Sequence, residues 1–167
     1  MHTPQQVATH IKGLTQKSQD LQAPAQSITI VNGPLIMIGQ GPYPQIIAGL
    51  KDIVSAGSTA LSQMQGMAEV PKGKESDAIC DAFREFARVH QELLKTLTGK
   101  AGMSQQVPFI GQPVAAVLRQ DESVTDSLAF SLMDNVPSRA SDLQAEAKSL
   151  SETIETCIQT HQGLGSS

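Results

Sequence analysis

The chain has 167 residues, 40% of them apolar, with no Trp, one Tyr and four Phe, and a formal net charge of −4. A length of about 100–200 residues is that of one domain, and an interior short of aromatics must be built from Leu, Ile, Val, Ala and Met, which favours long helices over a β-sandwich. The negative balance, without any Lys/Arg cluster, excludes nucleic acid as a partner, because phosphate binding needs a concentrated basic face.

Charge is uneven along the chain: residues 1–70 hold three acids and three bases, and residues 71–167 hold thirteen and nine. Gln, Ser and Thr solubilise the first part, a pattern that suits an extracellular surface. No segment reaches the ~20 apolar residues of a membrane span, and no charged-then-apolar leader is present. The expectation is a mature soluble domain over 3–164 with a flexible tail at 165–167, Met1-His2 being an expression remnant.

Five segments carry apolar residues at the three-and-four spacing of an amphipathic helix. The first opens on Thr3-Pro4-Gln5-Gln6, a capping Thr, a Pro at the first helical position and a Gln at the third, which together form a reciprocal capping box. Its stripe is Val7, Ile11, Leu14, Leu21, Ile28 and Val31, bent or broken at Pro24 and stopped by Asn32-Gly33-Pro34. Next comes the apolar connector Leu35-Ile36-Met37-Ile38, followed by Gly39-Gln40-Gly41. The second helix starts at Pro42 or Pro44, buries Ile46, Ile47, Leu50, Ile53, Val54, Leu61 and Met64, and ends at Gly66. Residues 65–77, which mix Gly, Pro and charge without periodicity, read as a linker.

Ser76-Asp77 is expected to cap the third helix, whose inner face is Ile79, Phe83, Phe86, Val89, Leu93 and Leu97. A second apolar connector, Val107 to Ile110 with Phe109 inside it, leads through Gly111-Gln112-Pro113 into a fourth helix presenting Val114, Val117, Leu118, Val124, Leu128 and Leu132 and stopped by Pro137. The fifth opens at Ser138 or at the capping box Ser141-x-x-Gln144 and runs through Leu143, Ala147, Leu150, Ile154, Cys157 and Ile158 to Gly163. With no strand-like alternation in competition, the fold class is all-α, an antiparallel bundle of five long helices. Both connectors are expected to fold inward at one end of that bundle, either as a plug over an ordinary core or as a hydrogen-bonding rim beside apolar surface.

The sequence carries no GxSxG elbow, HExxH pair or phosphate-cradling GxxxxGK[ST] loop, so the reading is non-enzymatic. Cys80 and Cys157, without CxxC or His at ligand spacing, do not read as a metal site; they either pair or serve as buried hydrophobes. His90, between Phe86 and Leu93, reads as a core histidine held by a hydrogen bond, with ligand contact as the alternative. Ser131 continues the face of Val124 and Leu128, with Ser127 at its edge; its hydroxyl either bonds back to a carbonyl or faces a ligand. Asp121 falls on the same stripe and is expected to be exposed at an irregular point, since a buried carboxylate needs a partner.

The runs LQAPAQSITIVNGPLIMIGQGPYPQII, DAFREFARVHQELLKTLTGKAG, VPFIGQPVAAVLRQ and FSLMDNVPSRASD resemble the ligand-binding domain of fungal cell-wall mannoproteins of the hydrophobic-surface-binding protein A family, from about Thr3 to Leu164. The resemblance implies a bundle enclosing a long hydrophobic cavity for fatty acids such as arachidonic acid. It also implies a secreted or wall-attached protein, a virulence factor that captures host lipids and dampens inflammatory signalling. On that view the aliphatic stripes become the cavity wall: Leu14, Leu21 and Ile28, then Leu35 and Ile38, then Ile47, Leu50 and Val54. The far wall is Phe83, Phe86, Val89 and Leu93, with Phe109, Val117, Val124 and Leu128, and finally Leu150 and Ile154. Ser131, Ser127, Gln40 and Tyr43 are the candidates for meeting the carboxylate, and no cofactor is expected beyond the fatty acid itself. The competing expectation is a surface protein whose amphipathic helices adsorb to hydrophobic surfaces without a fixed ligand.

Overall fold

The computed structural model describes residues 3–101 and 111–162. The first segment forms α1 (Pro4–Asp20) and, after a break, the short α2 (Gln22–Gln26). Gln6 N donates to Thr3 Oγ1 and Thr3 N donates to Gln6 Oε1, so the expected capping box is present. The helix breaks at Leu21, not at Pro24. A proline has no N–H for the carbonyl four residues earlier and its ring crowds that carbonyl, so Pro24 interrupts the ladder at Asp20 and the chain reorganises one turn upstream.

The remaining long helices are α3 (Pro42–Met64), α4 (Lys74–Lys100), α5 (Gly111–Asn135) and α6 (Ala140–Gln162), with a 3-10 turn over Gly33–Ile38 and another over Pro137–Arg139. α3 starts at Pro42 as expected, and Gly66 just beyond it takes a left-handed φ of 78°. α4 starts earlier than its sequence signal. Ser76 occupies the third helical position, where its Oγ accepts from Gly73 N at 2.9 Å and donates to Gly73 O at 2.8 Å. α6 follows directly from the Pro137–Arg139 turn, which places Ser138 in the turn and Ser141 inside the helix.

Long helices consecutive in the chain alternate in direction, while some neighbours in space run parallel. Gln5 meets Glu75 and Ser18 meets His90, so α1 and α4 run the same way; Arg84 meets Asp142 and Gln91 meets Ser149 and Thr153, so α6 runs with them. Lys17 pairs with Asp52 across the reversed α1–α3 seam, and Glu122 meets Ser151 across the reversed α5–α6 seam. The order α1–α4–α6–α5–α3 closes on itself, three helices facing two. Gly57 makes the α3–α5 seam close, because a Cβ there would stand 3.0 Å from Val124 Cγ2.

One continuous, mainly aliphatic core lies between these layers, and each fully buried Leu, Ile or Phe in it stabilises the fold by about 1.5–3 kcal/mol. The exceptions to the sequence pattern lie in the connectors. Val31 is exposed although it continues the stripe of the first helix, because the chain has left helical geometry by then. Val70, inside the segment read as a linker, is buried, and its N–H donates to Asn135 O at 2.7 Å.

Candidate functional site

The interior of the ring is the largest coherent apolar environment in the described residues. Leu14, Leu21, Ile28, Leu50, Phe83, Phe86, Val89, Leu93, Val117, Val124, Leu128, Leu150 and Ile154 are all buried, supplied by both layers, while Ile47 and Val54 are half-buried at its margin. Phe109 and the rest of the Val107–Ile110 connector lie outside the described residues. Leu35 and Ile38 correct the expectation of an inward fold: both are exposed, and of the run Leu35–Ile38 only Ile36 is half-buried against the core.

A polar crossing spans this interior. Asp121, expected at the surface, is fully buried, as are His90 and Ser18. His90 Nε2 lies 2.6 Å from Asp121 Oδ2 and its Nδ1 lies 2.9 Å from Ser18 Oγ, which is also 3.1 Å from Leu14 O. Three helices, α1, α4 and α5, are thereby joined side chain to side chain. His90 is a core histidine as expected, with two partners, and its ring stacks on Phe86 with centroids 5.0 Å apart. The set Ser-His-Asp invites comparison with a hydrolytic triad, but its setting opposes that chemistry. Ser18 sits in the last turn of α1, where carbonyl oxygens and the negative end of the helix dipole gather, the reverse of an oxyanion hole, and no part of it is exposed. The sequence offered His90 and Asp121 separately; nothing in a stripe pattern pairs residues 31 positions apart or adds Ser18 to them.

Two buried side-chain polar atoms among the described residues have no hydrogen-bond partner, Asp121 Oδ1 and His161 Nε2. His161 Nδ1 lies 2.8 Å from Cys157 O. A carbonyl only accepts, so Nδ1 carries the proton and Nε2 is left a bare acceptor. Burial lowers the pKa of His161, the bond to the Cys157 carbonyl partly opposing that shift.

The four carboxylate candidates do not converge. Tyr43 is fully buried in the first turn of α3, Gln40 is exposed before it, Ser127 is exposed and Ser131 is half-buried. The groove joining Val54, Ser58 and Leu61 to Gln120, Val124 and Ser127 shows that α3 and α5 run parallel with Gly57 level with Val124. At 1.5 Å per residue, Tyr43 and Ser131 are then roughly 30 Å apart along the axis. Ser127 does share that groove with Val54 and Val124. A second, more apolar groove of about 490 Å³ runs between α5 and α6, lined by Ala129, Phe130, Met133 and Ala145 together with Asp126 and Lys148; Ser141, Gln144 and Ala147, read from the sequence as helix start and stripe, also line it, and none of its residues was read from the sequence as a ligand contact. Burial and the neighbouring Glu155 raise the pKa of Asp126.

Cys80 and Cys157 are both free and buried. Cys157 is level with Thr98, 18 residues along α4 from Cys80, a separation of about 27 Å. Burial pushes the Cys157 thiol up to about 12, which leaves it protonated and unreactive at neutral pH. Among the described residues, no group of three or more His, Cys, Asp or Glu is placed to hold a metal ion, and no helix is long and apolar enough to cross a membrane.

No protein-family model matches the sequence, and no curated protein matches it. Solved structures do match in three dimensions. Ligand binding domain 2 of Penicillium marneffei MP1 protein, complexed with multiple arachidonic acids, superposes with a TM-score of 0.77 at 16% identity, over 95% of this chain and 94% of that one. AFMP4P in complex with palmitic acid superposes with a TM-score of 0.83 at 12% identity, over 95% of this chain and 99% of that one. The chain therefore shares, almost end to end, the helical fold of these two proteins.

Proposed function

We propose that this protein is a non-catalytic binder of long-chain fatty acids, holding the acyl chain in the apolar interior between the layer of α1, α4 and α6 and the layer of α3 and α5. The observation that carries this reading is the end-to-end sharing of a fold with two proteins solved in complex with fatty acids, in a chain whose own interior is aliphatic from both layers. Each CH₂ removed from water contributes about 0.8 kcal/mol, so a chain of about sixteen carbons supplies ample drive without directional contacts. The head group stays near the bundle end. The Oδ1 of Asp121 is a buried acceptor without a partner and offers no hydrogen bond to a carboxylate in the middle of the ring, and no Lys or Arg is among the buried residues described.

The finer part of the proposal is a secreted or wall-attached protein that takes up host lipids, arachidonic acid among them, and so dampens inflammatory signalling. Adsorption through amphipathic helices is the weaker reading, because the apolar faces of the helices are committed to the core.

Organic extraction of the purified protein followed by mass spectrometry is expected to release fatty acid in stoichiometric amount. Delipidated protein given palmitate at 100 times its Kd is expected to gain about 2.7 kcal/mol of stability, read as a rise in Tm. A Tm indifferent to palmitate and to arachidonate would reject the reading.

A further inference from the structure

The described residues have six exposed large hydrophobics, and five of them, Ile30, Val31, Leu35, Met37 and Ile38, lie within one connector between α2 and α3; only Phe130 lies elsewhere. Val31 is 82% exposed, Ile38 67% and Met37 66%. From Leu21 to Leu50 the sequence has no Asp, Glu, Lys or Arg. Exposed apolar side chains in a charge-free stretch are the opposite of how a protein keeps a loop in water.

This connector is also built to hold them out. Asn32 Oδ1 accepts from Thr29 N at 2.6 Å, Asn32 Nδ2 donates to Ser27 O at 2.6 Å, and Asn32 N donates to Thr29 Oγ1 at 3.0 Å. Gly33 N, Leu35 N, Gly39 N and Gln40 N find carbonyls within the same segment. At its foot Gly41 has a φ of 84° and passes so close to Asn32 that a Cβ would stand 2.5 Å from Asn32 O, which only glycine permits. The result is a preformed convex turn whose main chain is largely self-satisfied and whose side chains are presented to solvent.

We propose that the connector Ser27–Gly41 is a docking surface for a phospholipid bilayer, with Ile30, Val31, Met37 and Ile38 inserting among the acyl chains. A second copy of this chain does not fit the patch, since a stable interface takes about 20–30 residues a side and this one offers five apolar side chains. An added β-strand does not fit either, because the connector is a series of turns, with the N–H groups of Thr29, Asn32, Gly33, Leu35, Gly39 and Gln40 taken within it and no extended edge to pair. A bilayer needs neither shape complementarity nor unpaired donors. The connector itself carries no charge, and Lys100 beside it has its Nζ engaged with Ile28 O at 3.2 Å, so nothing draws the patch specifically to an anionic surface: a zwitterionic one suffices, with binding expected to be insensitive to salt. The inference rests on the lipid-binding reading above in one respect: docking brings the bundle end that carries the connector to the phase from which a fatty acid would be taken.

The test is flotation with phosphatidylcholine vesicles. The protein is expected to float with neutral vesicles equally at low and high salt. Val31→Asp combined with Ile38→Asp is expected to lower the partition coefficient at least ~10-fold, with Met37→Ser lowering it less and Phe130→Asp, the exposed apolar residue outside the connector, leaving it unchanged. These positions are exposed, so Tm is expected to stay near that of the parent, and a palmitate titration without vesicles is expected to be unaffected by the substitutions. Absence of the parent protein from the floated fraction, a requirement for anionic lipid, a loss with Phe130→Asp equal to that of the double variant, or a change of oligomeric state in the double variant would each overturn the inference. Palmitate binding without flotation ends the docking proposal and keeps the lipid-binding reading; flotation without palmitate binding does the reverse.

Discussion

The two buried histidines occupy the same kind of surroundings and use them in opposite ways. His90 lies in the middle of α4 with a partner on each ring nitrogen, one from α1 and one from α5, so that it bridges both layers. His161 lies in the last turn of α6 with one nitrogen bound to its own helix and the other bare. Both rings are out of water. The first region is a fixed crossing, whose members each depend on the others; the second is a local solution that leaves an acceptor facing apolar surroundings.

The sharpest way to break that contrast is to remove the centre of the crossing. His90→Leu leaves both oxygens of Asp121 buried without a partner, and breaking a buried pair by removing one member costs about 3–5 kcal/mol. Urea denaturation is expected to show that loss as a lower midpoint with an unchanged m-value. The double variant His90→Leu, Asp121→Leu removes the stranded carboxyl group as well, and is expected to recover most of that loss. A recovery of nothing would mean that the crossing stabilises by geometry and not by pairing. Ser18→Ala tests the weaker arm: it leaves His90 Nδ1 without Ser18 Oγ, for an expected loss of about 1–2 kcal/mol on the same assay.

Much of the bundle was legible because helices announce themselves locally. The Thr3 capping box, the proline openings and the period of apolar residues each depend on neighbours within one or two turns, and the all-α class followed from them. The crossing was not legible, because Ser18, His90 and Asp121 are joined only by the way three helices are laid side by side, and a lone Asp on a stripe carries the same pattern whether it is paired or solvated. The connectors misled in both directions for one reason. Leu35 and Ile38 are greasy but belong to a turn that satisfies its own main chain and needs no core; Val70 sits among polar residues but its N–H is taken by Asn135 O, which draws the side chain inward. Side-chain hydropathy alone does not see where a backbone donor goes. The carboxylate candidates were likewise not placed by their chemistry: Tyr43 and Ser131 both carry a hydroxyl but do not share an end of the bundle.

The smallest effect in free energy, and the most specific, is expected at His161. Its folded pKa is lowered, chiefly by burial, while an unfolded histidine titrates near its ordinary value of about 6.5. Between those two values the unfolded chain binds the proton and the folded chain does not, so stability is complete above about pH 6.5 and declines as pH falls toward the folded value. His161→Leu removes one hydrogen bond to the Cys157 carbonyl and at the same time removes a buried acceptor that had none. The two changes oppose each other, and at pH 7.5 the variant is expected within about 1 kcal/mol of the parent. Its signature is the slope: urea midpoints measured from pH 7.5 to 5 are expected to fall less in His161→Leu than in the parent. An unchanged slope would place the acid sensitivity elsewhere in the chain and would mean that the bare nitrogen finds a proton donor in solution, in which case the two imidazoles differ less than their surroundings imply.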